Sequence, residues 1–446
     1  MALGIIDSQD LTNLADAIRD RTGIVDKMTP AEMSVQILST PTYFTELVDG
    51  SLATISTKML EGIDTIRSNA FIGLDTLTSV AMPDTITNIG AYAFRGCNNL
   101  HSIVLSDSLE SIGDYAFYGC GIKNLNIPAS LSSIGTQGFC CPELDHISVS
   151  ANNITYRSEN NCLIKDNQIV RGSNISVIPT EGVTTIGANA FSNCATLKNI
   201  VIPTNITLLG GSAFSNCPVL EYIDLSQYTT VLEAYSLFSS NDTSPAQIWI
   251  PRDLYDTWST TVPWSYSYMI DRIRTVLDIP VGKTSIADKA YSQDSLIVKV
   301  ILPSGMKTLG TYAFSGCAAL KYIEIPNTVT SIGSGCFVGC AFEEIEIPDS
   351  VTFCGTYDTF YNCINLKRVK IGKGITSLAT NMFYSWLDNP VMEVIDFTSA
   401  TAVPTCQTST FNGLNDTYEI WVPSSLYNSF ISATNWSAVA DHIVAK

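Results

Sequence analysis

Few side chains in this 446-residue chain have the types and spacing that chemistry requires. The three histidines, His101, His146 and His442, stand in no pattern that pairs them with a serine or cysteine nucleophile. Thirteen cysteines, an odd number, leave at least one thiol unpaired in a single chain. Cys140 and Cys141 are adjacent and Cys336 and Cys340 are four apart, but no second pair and no histidine completes a four-ligand zinc set. There is no G-x-S-x-G, no H-E-x-x-H and no phosphate-binding glycine loop. Glu344 and Glu346 could serve as the paired carboxylates of a glycosidase. Arg368 and Lys370 occupy the matching strand positions one repeat later, so cross-strand ion pairs account for all four. The sequence therefore predicts a non-enzymatic protein with no catalytic residue, no metal and no cofactor.

The elements that place these residues repeat. Copies such as ITNIGAYAFRGCNNLHSIVLS from Ile86, VTTIGANAFSNCATLKNIVIP from Val183 and VTSIGSGCFVGCAFEEIEIP from Val329 share the form I-x-x-I-G-x-x-A-F-x-x-C followed by L-x-x-I-x-I-P. The repeated aromatic falls at Phe71, Phe94, Phe117 and Phe139, at Phe191, Phe214 and Phe238, and from Tyr291 through Phe411, with most steps close to 23 residues. In L-x-x-I-x-I-P the apolar residues alternate and end in proline, which predicts a short strand. In I-G-x-x-A-F-x-x-C they lie three to four apart, which predicts one or two helical turns. A unit of this size has one apolar side that only its neighbours can cover, so the copies must stack into an α/β-repeat solenoid with a parallel sheet along one surface, bent into an arc. Cys97, Cys120, Cys194, Cys217, Cys317, Cys340 and Cys363 each follow the aromatic by three residues, as a buried ladder of reduced core thiols would.

The polar positions of the predicted strands project from the sheet. They supply the candidate ligand-binding face: Asn124, Asn126, His146, Ser148, Asn199, Tyr222 and Asp224, then Tyr322 and Glu324.

The repeat is interrupted twice. Between Phe139 and Phe191 the inserted residues read as one elongated repeat with a hairpin around Lys165, Asp166 and Asn167. IWIPRDLYDTWSTTVPW from Ile248 recurs as IWVPSSLYNSFISATNWS from Ile420, with Trp264 matched by Trp436. Each copy predicts a last strand and an aromatic amphipathic helix of the kind that covers a solenoid end, so two consecutive capped arrays are expected, at 41–277 and 278–446. The aromatics could instead form a sugar-stacking platform. Residues 1–40 differ: Leu11, Leu14 and Ile18 share a helical face, and Thr29, Pro30 and Glu32 open a second helix that carries Met33 and Ile37. Such a small helical hairpin cannot hold a core of its own and is expected to be an attachment element.

Lys and Arg number 24 against 42 Asp and Glu, and a net charge of −18 disfavours nucleic acid and anionic membranes as partners. The first residues lack a basic segment and break any apolar stretch with Asp7 and Asp10, so export by a signal peptide is not expected. No apolar run approaches the ~20 residues needed to span a bilayer, and a soluble chain without membrane insertion is expected.

The A-F-x-x-C and L-x-x-I-x-I-P units resemble the BspA-like leucine-rich repeats over roughly 45–446. That resemblance implies a leucine-rich-repeat solenoid and a binding or adhesive role at a bacterial surface, without assigning any ligand residue. LTNLADAIRDRTGIVDKMTPAEMSVQIL resembles a leader of tail-associated proteins in phages and prophages of gut bacteria. Together these imply a phage tail or receptor-binding protein located in the virion. Its arrays would engage a bacterial surface protein or glycan, and its hairpin would join other tail or baseplate proteins, in an arrangement that allows a homo-oligomer. The alternatives are a bacterial surface adhesin and a purely structural tail or baseplate protein.

Overall fold

The computed structural model describes residues 54–60, 62–239, 242, 245–264, 269, 271–385 and 391–446. The expected N-terminal hairpin, with Leu11, Leu14, Ile18, Met33 and Ile37, lies outside the described residues.

Each repeat is one coil of a parallel solenoid and carries two short strands, where the sequence suggested one. In a representative coil Asn88–Ile89 forms the first strand and Ser102–Val104 the second. Both pair in parallel with their equivalents in neighbouring coils, Asn88 opposite Ser111 and Ser79 opposite Ser102. The sequence offset is 23 residues in each case, so one repeat is one turn. The first strand coincides with the (Ser/Thr/Asn)-Ile-Gly piece of the repeat, which is too short to show alternation.

The helical turn expected between the two strands is absent. The I-G-x-x-A-F-x-x-C segment is an arc of turns whose amides alternate between two kinds of partner. Tyr92, Phe94 and Gly96 donate to the carbonyls of Asp114, Ala116 and Tyr118 in the next coil, at 2.9, 2.7 and 2.8 Å. Arg95 and Cys97, between and after them, close local turns onto Tyr92 and Phe94, both at 3.1 Å. This pattern requires a left-handed residue two places before and two places after the aromatic: Asn69 and Gly73 (φ 62° and 70°), Tyr92 and Gly96 (61° and 74°), Tyr312 and Gly316 (55° and 76°). Glycine and asparagine, the residues that tolerate this region best, accordingly recur there.

Inside the arc the aromatics stack ring on ring. Phe71, Phe94, Phe117 and Phe139 follow one another at 4.9, 5.1 and 5.1 Å. Phe314, Phe337, Phe360 and Phe383 do so at 5.9, 5.7 and 6.1 Å. The repeat isoleucines and leucines fill the rest of the core, for example Ile86, Ile89 and Leu100, all fully buried. The glycine after the first strand is a close-approach position. A methyl group on Gly310 would lie 2.5 Å from the carbonyl carbon of Ala287 in the preceding coil. Gly310→Ala should therefore cost about 3 kcal/mol, read as a lowered urea midpoint. Gly305→Ala, where nothing lies within 4 Å, should change the midpoint little; equal losses at both sites would refute the close-approach account.

The chain forms two compact units. Among the described residues the first runs from 54 to Ile248 and includes Thr260–Arg272; the second comprises Trp249–Ser259 and Ile273–Lys446. The two aromatic segments each give a strand, a 3-10 turn and a six-residue helix: Gln247–Pro251, Arg252–Leu254 and Tyr255–Thr260, then Glu419–Val422, Ser424–Leu426 and Tyr427–Ser432. Trp258 and Phe430 are the buried anchors of the two helices. The two matched tryptophans do the same job. Trp264 Nε1 donates to the Leu232 carbonyl at 3.0 Å and Trp436 Nε1 to the Pro404 carbonyl at 2.7 Å, each 32 residues back.

The elongated repeat holds a three-stranded antiparallel meander rather than one hairpin: Tyr156–Glu159, Cys162–Lys165 and Gln168–Arg171. Asn160 and Asn161 turn the first corner with φ of 49° and 62°, the mirror-image turn that suits the twist of a hairpin. The last of these strands rejoins the solenoid, Gln168 and Ile169 pairing in parallel with Thr185 and Ile186.

Candidate binding face

All thirteen cysteines are buried and unpaired. The ladder has a polar task as well as a packing one. Cys97, Cys120, Cys217, Cys317, Cys340 and Cys363 each donate Sγ–H to the carbonyl of the aromatic 26 residues back, at 3.0 to 3.3 Å. A thiol is small enough to stand between coils and still satisfy a buried acceptor. Cys194 departs from the expected ladder. Cys141 takes the equivalent bond to the Phe117 carbonyl at 3.3 Å, while Cys194 lies 4.0 Å from Arg171 Nη2. The neighbouring Cys217 thiol, with help from the Arg171 charge, holds the Cys194 thiol below its ordinary pKa against the effect of burial. Burial pushes Cys354 and Cys363 up to about 12 and Cys162 up to about 11.

The predicted face is present in pieces. Asn124–Ile127 and His146–Val149 pair in register, Asn124 opposite His146 and Asn126 opposite Ser148. All four polar side chains are exposed while Leu125, Ile127 and Ile147 are buried between them. Ser148 Oγ donates to Asn126 Oδ1 across the pair. Asn199, Tyr222 and Asp224 lie on a second pair of strands, Asn199 opposite Tyr222. The elongated repeat separates this pair from the first, with Asn174 N and Ser173 Oγ bonding the carbonyls of Leu144 and Asp145 at 2.8 and 2.7 Å. Asp224 is a correction to the expected face. It is buried, and its carboxylate accepts the Ser226 amide at 2.9 Å, which fixes the turn after the strand. In the second unit Tyr322 is exposed and sits 5.4 Å from the Trp249 ring. Glu324 lies just past the strand Tyr322–Ile323 and is exposed.

The charged group around Glu344 divides differently from expectation. Lys370 pairs with Glu346 at 2.6 Å, but Arg368 lies over the Trp421 ring at 4.9 Å, and it is Lys367 that pairs with Glu343 at 2.8 Å. The Lys367 bond lowers the Glu343 pKa below the usual carboxylate value. Exposed pairs of this kind contribute little to stability, because solvent screens them. His101 and His442 each donate Nδ1–H to a backbone carbonyl, His101 to Gly121 O at 3.0 Å and His442 to Tyr418 O at 3.1 Å. His146 faces solvent on the strand.

One surface was missed by sequence reasoning. Tyr92 and Tyr115 stack at 5.3 Å on the outer side of the arc, with Arg95 5.5 Å from Tyr92 and 5.7 Å from Tyr118. Tyrosine two places before the repeated phenylalanine is the available signal, and Tyr312 shares it. Among the described residues no helix is long and apolar enough to cross a membrane, and no group of three His, Cys, Asp or Glu side chains is placed to hold a metal ion.

Among curated proteins no match is found. Solved structures of similar chains include a leucine-rich repeat protein from Eubacterium ventriosum, 23% identical over 68% of this chain and 87% of its own, with a TM-score of 0.33. One from Bacteroides ovatus is 20% identical over 80% and 87%, at 0.28, and the pneumococcal vaccine antigen PcpA is 17% identical over 89% and 79%, at 0.27. Likeness at this level carries no argument of its own. The family described as BspA type leucine rich repeat region matches in six copies, over residues 64–178, 171–257 and 284–416. With well over half of its length so matched, and with the same coil built from each copy, the chain belongs to the BspA-type leucine-rich repeat family.

Proposed function

We propose that this protein is a non-catalytic binding protein that works at a bacterial surface as an adhesin, engaging a surface protein or glycan through its exposed sheet face. The observation that carries the reading is the row Asn124, Asn126, His146 and Ser148. These side chains stand in register on a rigid sheet, face solvent, and take no part in the core. Amide, imidazole and hydroxyl groups held at strand spacing can donate to and accept from a sugar or a peptide backbone with little loss of side-chain freedom on binding. Membership of the BspA-type family supports the surface role.

Binding of the fluorescently labelled protein to intact bacteria of candidate host species, followed by flow cytometry, tests this. Replacing the four residues together with alanine should weaken binding at least tenfold with the circular dichroism spectrum unchanged. Retention of full binding would remove the face from consideration.

A second reading rests on the segment LTNLADAIRDRTGIVDKMTPAEMSVQIL. Its resemblance to leaders of phage tail-associated proteins supports a virion component whose first 40 residues attach it to other tail or baseplate proteins, alone or as a homo-oligomer. Antibody labelling of released particles and of intact cells separates the two locations.

A further inference from the structure

Within the second unit the arcs are tied coil to coil through their backbones. The amides of Lys289, Tyr291 and Gln293 donate to the carbonyls of Thr311, Ala313 and Ser315 at 2.9, 2.9 and 2.7 Å. Tyr312, Phe314 and Gly316 pass the same bonds on to Ser334, Cys336 and Val338. The arc that begins this series has no donor behind it. Among the described residues nothing donates to the carbonyls of Asp288, Ala290 or Ser292. Ser285–Ile286, the first strand of the same coil, is likewise the outermost strand of its sheet.

The side chains show the same gap. Ala290 is exposed, whereas the matching Ala93, Ala116, Ala190, Ala213 and Ala313 are fully buried. The Tyr291 ring is half-buried; one face stacks on Phe314 at 5.6 Å, and no other described ring meets it. The first array is different at its start, for Ala70 and Phe71 of its first arc are both buried. An open cleft of about 520 Å³ lies along the uncovered edge, lined by residues 290–296 and by Arg252, all within the second unit. Arg252 Nε donates to Asp294 Oδ2 at 2.7 Å, and its two amino groups make no hydrogen bond among the described residues. Free backbone groups at alternate residues are what an extended peptide takes up when it lies along an exposed edge.

We infer that this edge is a docking site for an extended segment of a partner protein, seated where a preceding coil would lie. Continuity with the coil ladder sets the chemistry of that segment. Its first, third and fifth amides must meet Asp288, Ala290 and Ser292, as those of Lys289, Tyr291 and Gln293 meet the next coil. Its third side chain must be aromatic to cover Tyr291. Arcs hold their first and fifth residues in the left-handed region, as at Asn189 and Asn193 with φ of 58° and 57°, so glycine or asparagine is expected at both places. The free Arg252 amino groups stand ready for a carbonyl or carboxylate of the same segment. The cleft is separate from the exposed sheet face and does not depend on the adhesive reading.

Microscale thermophoresis of the labelled full chain, titrated with an end-blocked peptide of residues 185–193, TIGANAFSN, tests the assignment. Saturable binding is expected, about tenfold weaker for a peptide with alanine in place of Phe191. Ala290→Gln in the protein should weaken binding by a similar factor, because the longer side chain occupies the cleft. Ala290 is exposed, so the fold tolerates the change, and an unaltered circular dichroism spectrum checks this. Absence of saturable binding up to about 1 mM peptide overturns the assignment. Equal affinity for the two peptides, or an affinity that Ala290→Gln leaves unchanged, does the same. Self-association of the chain that Ala290→Gln abolishes would give the edge to a second copy and also overturn it.

Discussion

Raising the pH from 9 to 11 under reducing conditions should unfold the second unit, and thiol ionisation should supply most of the loss. Cys336, Cys340, Cys354 and Cys363 are buried. Burial pushes Cys354 and Cys363 up to about 12 and Cys336 and Cys340 well above the ordinary thiol value. In the unfolded chain a thiol ionises near 8.5. Below that pH both states are protonated and the contribution of burial is complete. Above it the unfolded state releases protons that the folded state keeps, so stability declines until the folded values are reached. Each thiol contributes a slope of about 1.4 kcal/mol per pH unit, and four contribute about 5 to 6. Urea midpoints at pH 7, 9 and 10 should therefore fall steeply only above pH 9. A variant with alanine at all four positions starts less stable at pH 7 and should show a much shallower alkaline decline. An equal decline in that variant would assign the alkaline loss to tyrosine or lysine ionisation instead.

Trp436→Ala should be the most damaging single substitution in the second unit. Trp436 is fully buried among Phe397, Phe411 and Phe430, with ring separations of 5.4, 5.3 and 4.8 Å. Its Nε1 also satisfies the Pro404 carbonyl at 2.7 Å. Truncation of a large buried aromatic costs about 3–5 kcal/mol, and the orphaned carbonyl adds to the loss. The expected result is early cleavage within the last 30 or so residues in limited proteolysis, before the urea midpoint of the repeats is reached. Trp436→Phe keeps most of the packing and loses the donor, so about 1–3 kcal/mol should be lost. A loss under 1 kcal/mol in the alanine variant would mean that this segment does not hold the end of the array together.

Those two expectations rest on features of different legibility. The 23-residue recurrence of phenylalanine and cysteine, with its alternating L-x-x-I-x-I strand, made the solenoid and the buried thiols readable from residue types alone, because identical coils must bury identical positions. The matched Trp264 and Trp436 were equally visible as a repeated segment. The arc between strands was misread as helix because apolar residues three to four apart suit either a helical turn or a sequence of tight turns. What decides is where alternate amides find their carbonyls, and those of Tyr92, Phe94 and Gly96 find them in the next coil. The asparagines and glycines flanking the aromatic were the local trace of that choice.

The candidate face was half legible. Asn124, Asn126, His146 and Ser148 follow from strand alternation, whereas the burial of Asp224 and the diversion of Arg368 onto Trp421 depend on neighbours that the strand pattern does not name. Residue spacing by itself determined the period, the core positions and six of the seven expected ladder thiols, since these follow from one coil repeated, but not the replacement of Cys194 by Cys141. The two-strand coil, the cross-coil ladder and the burial of Arg171 were decided only by tertiary structure, because each depends on hydrogen-bond partners and packing in a neighbouring coil.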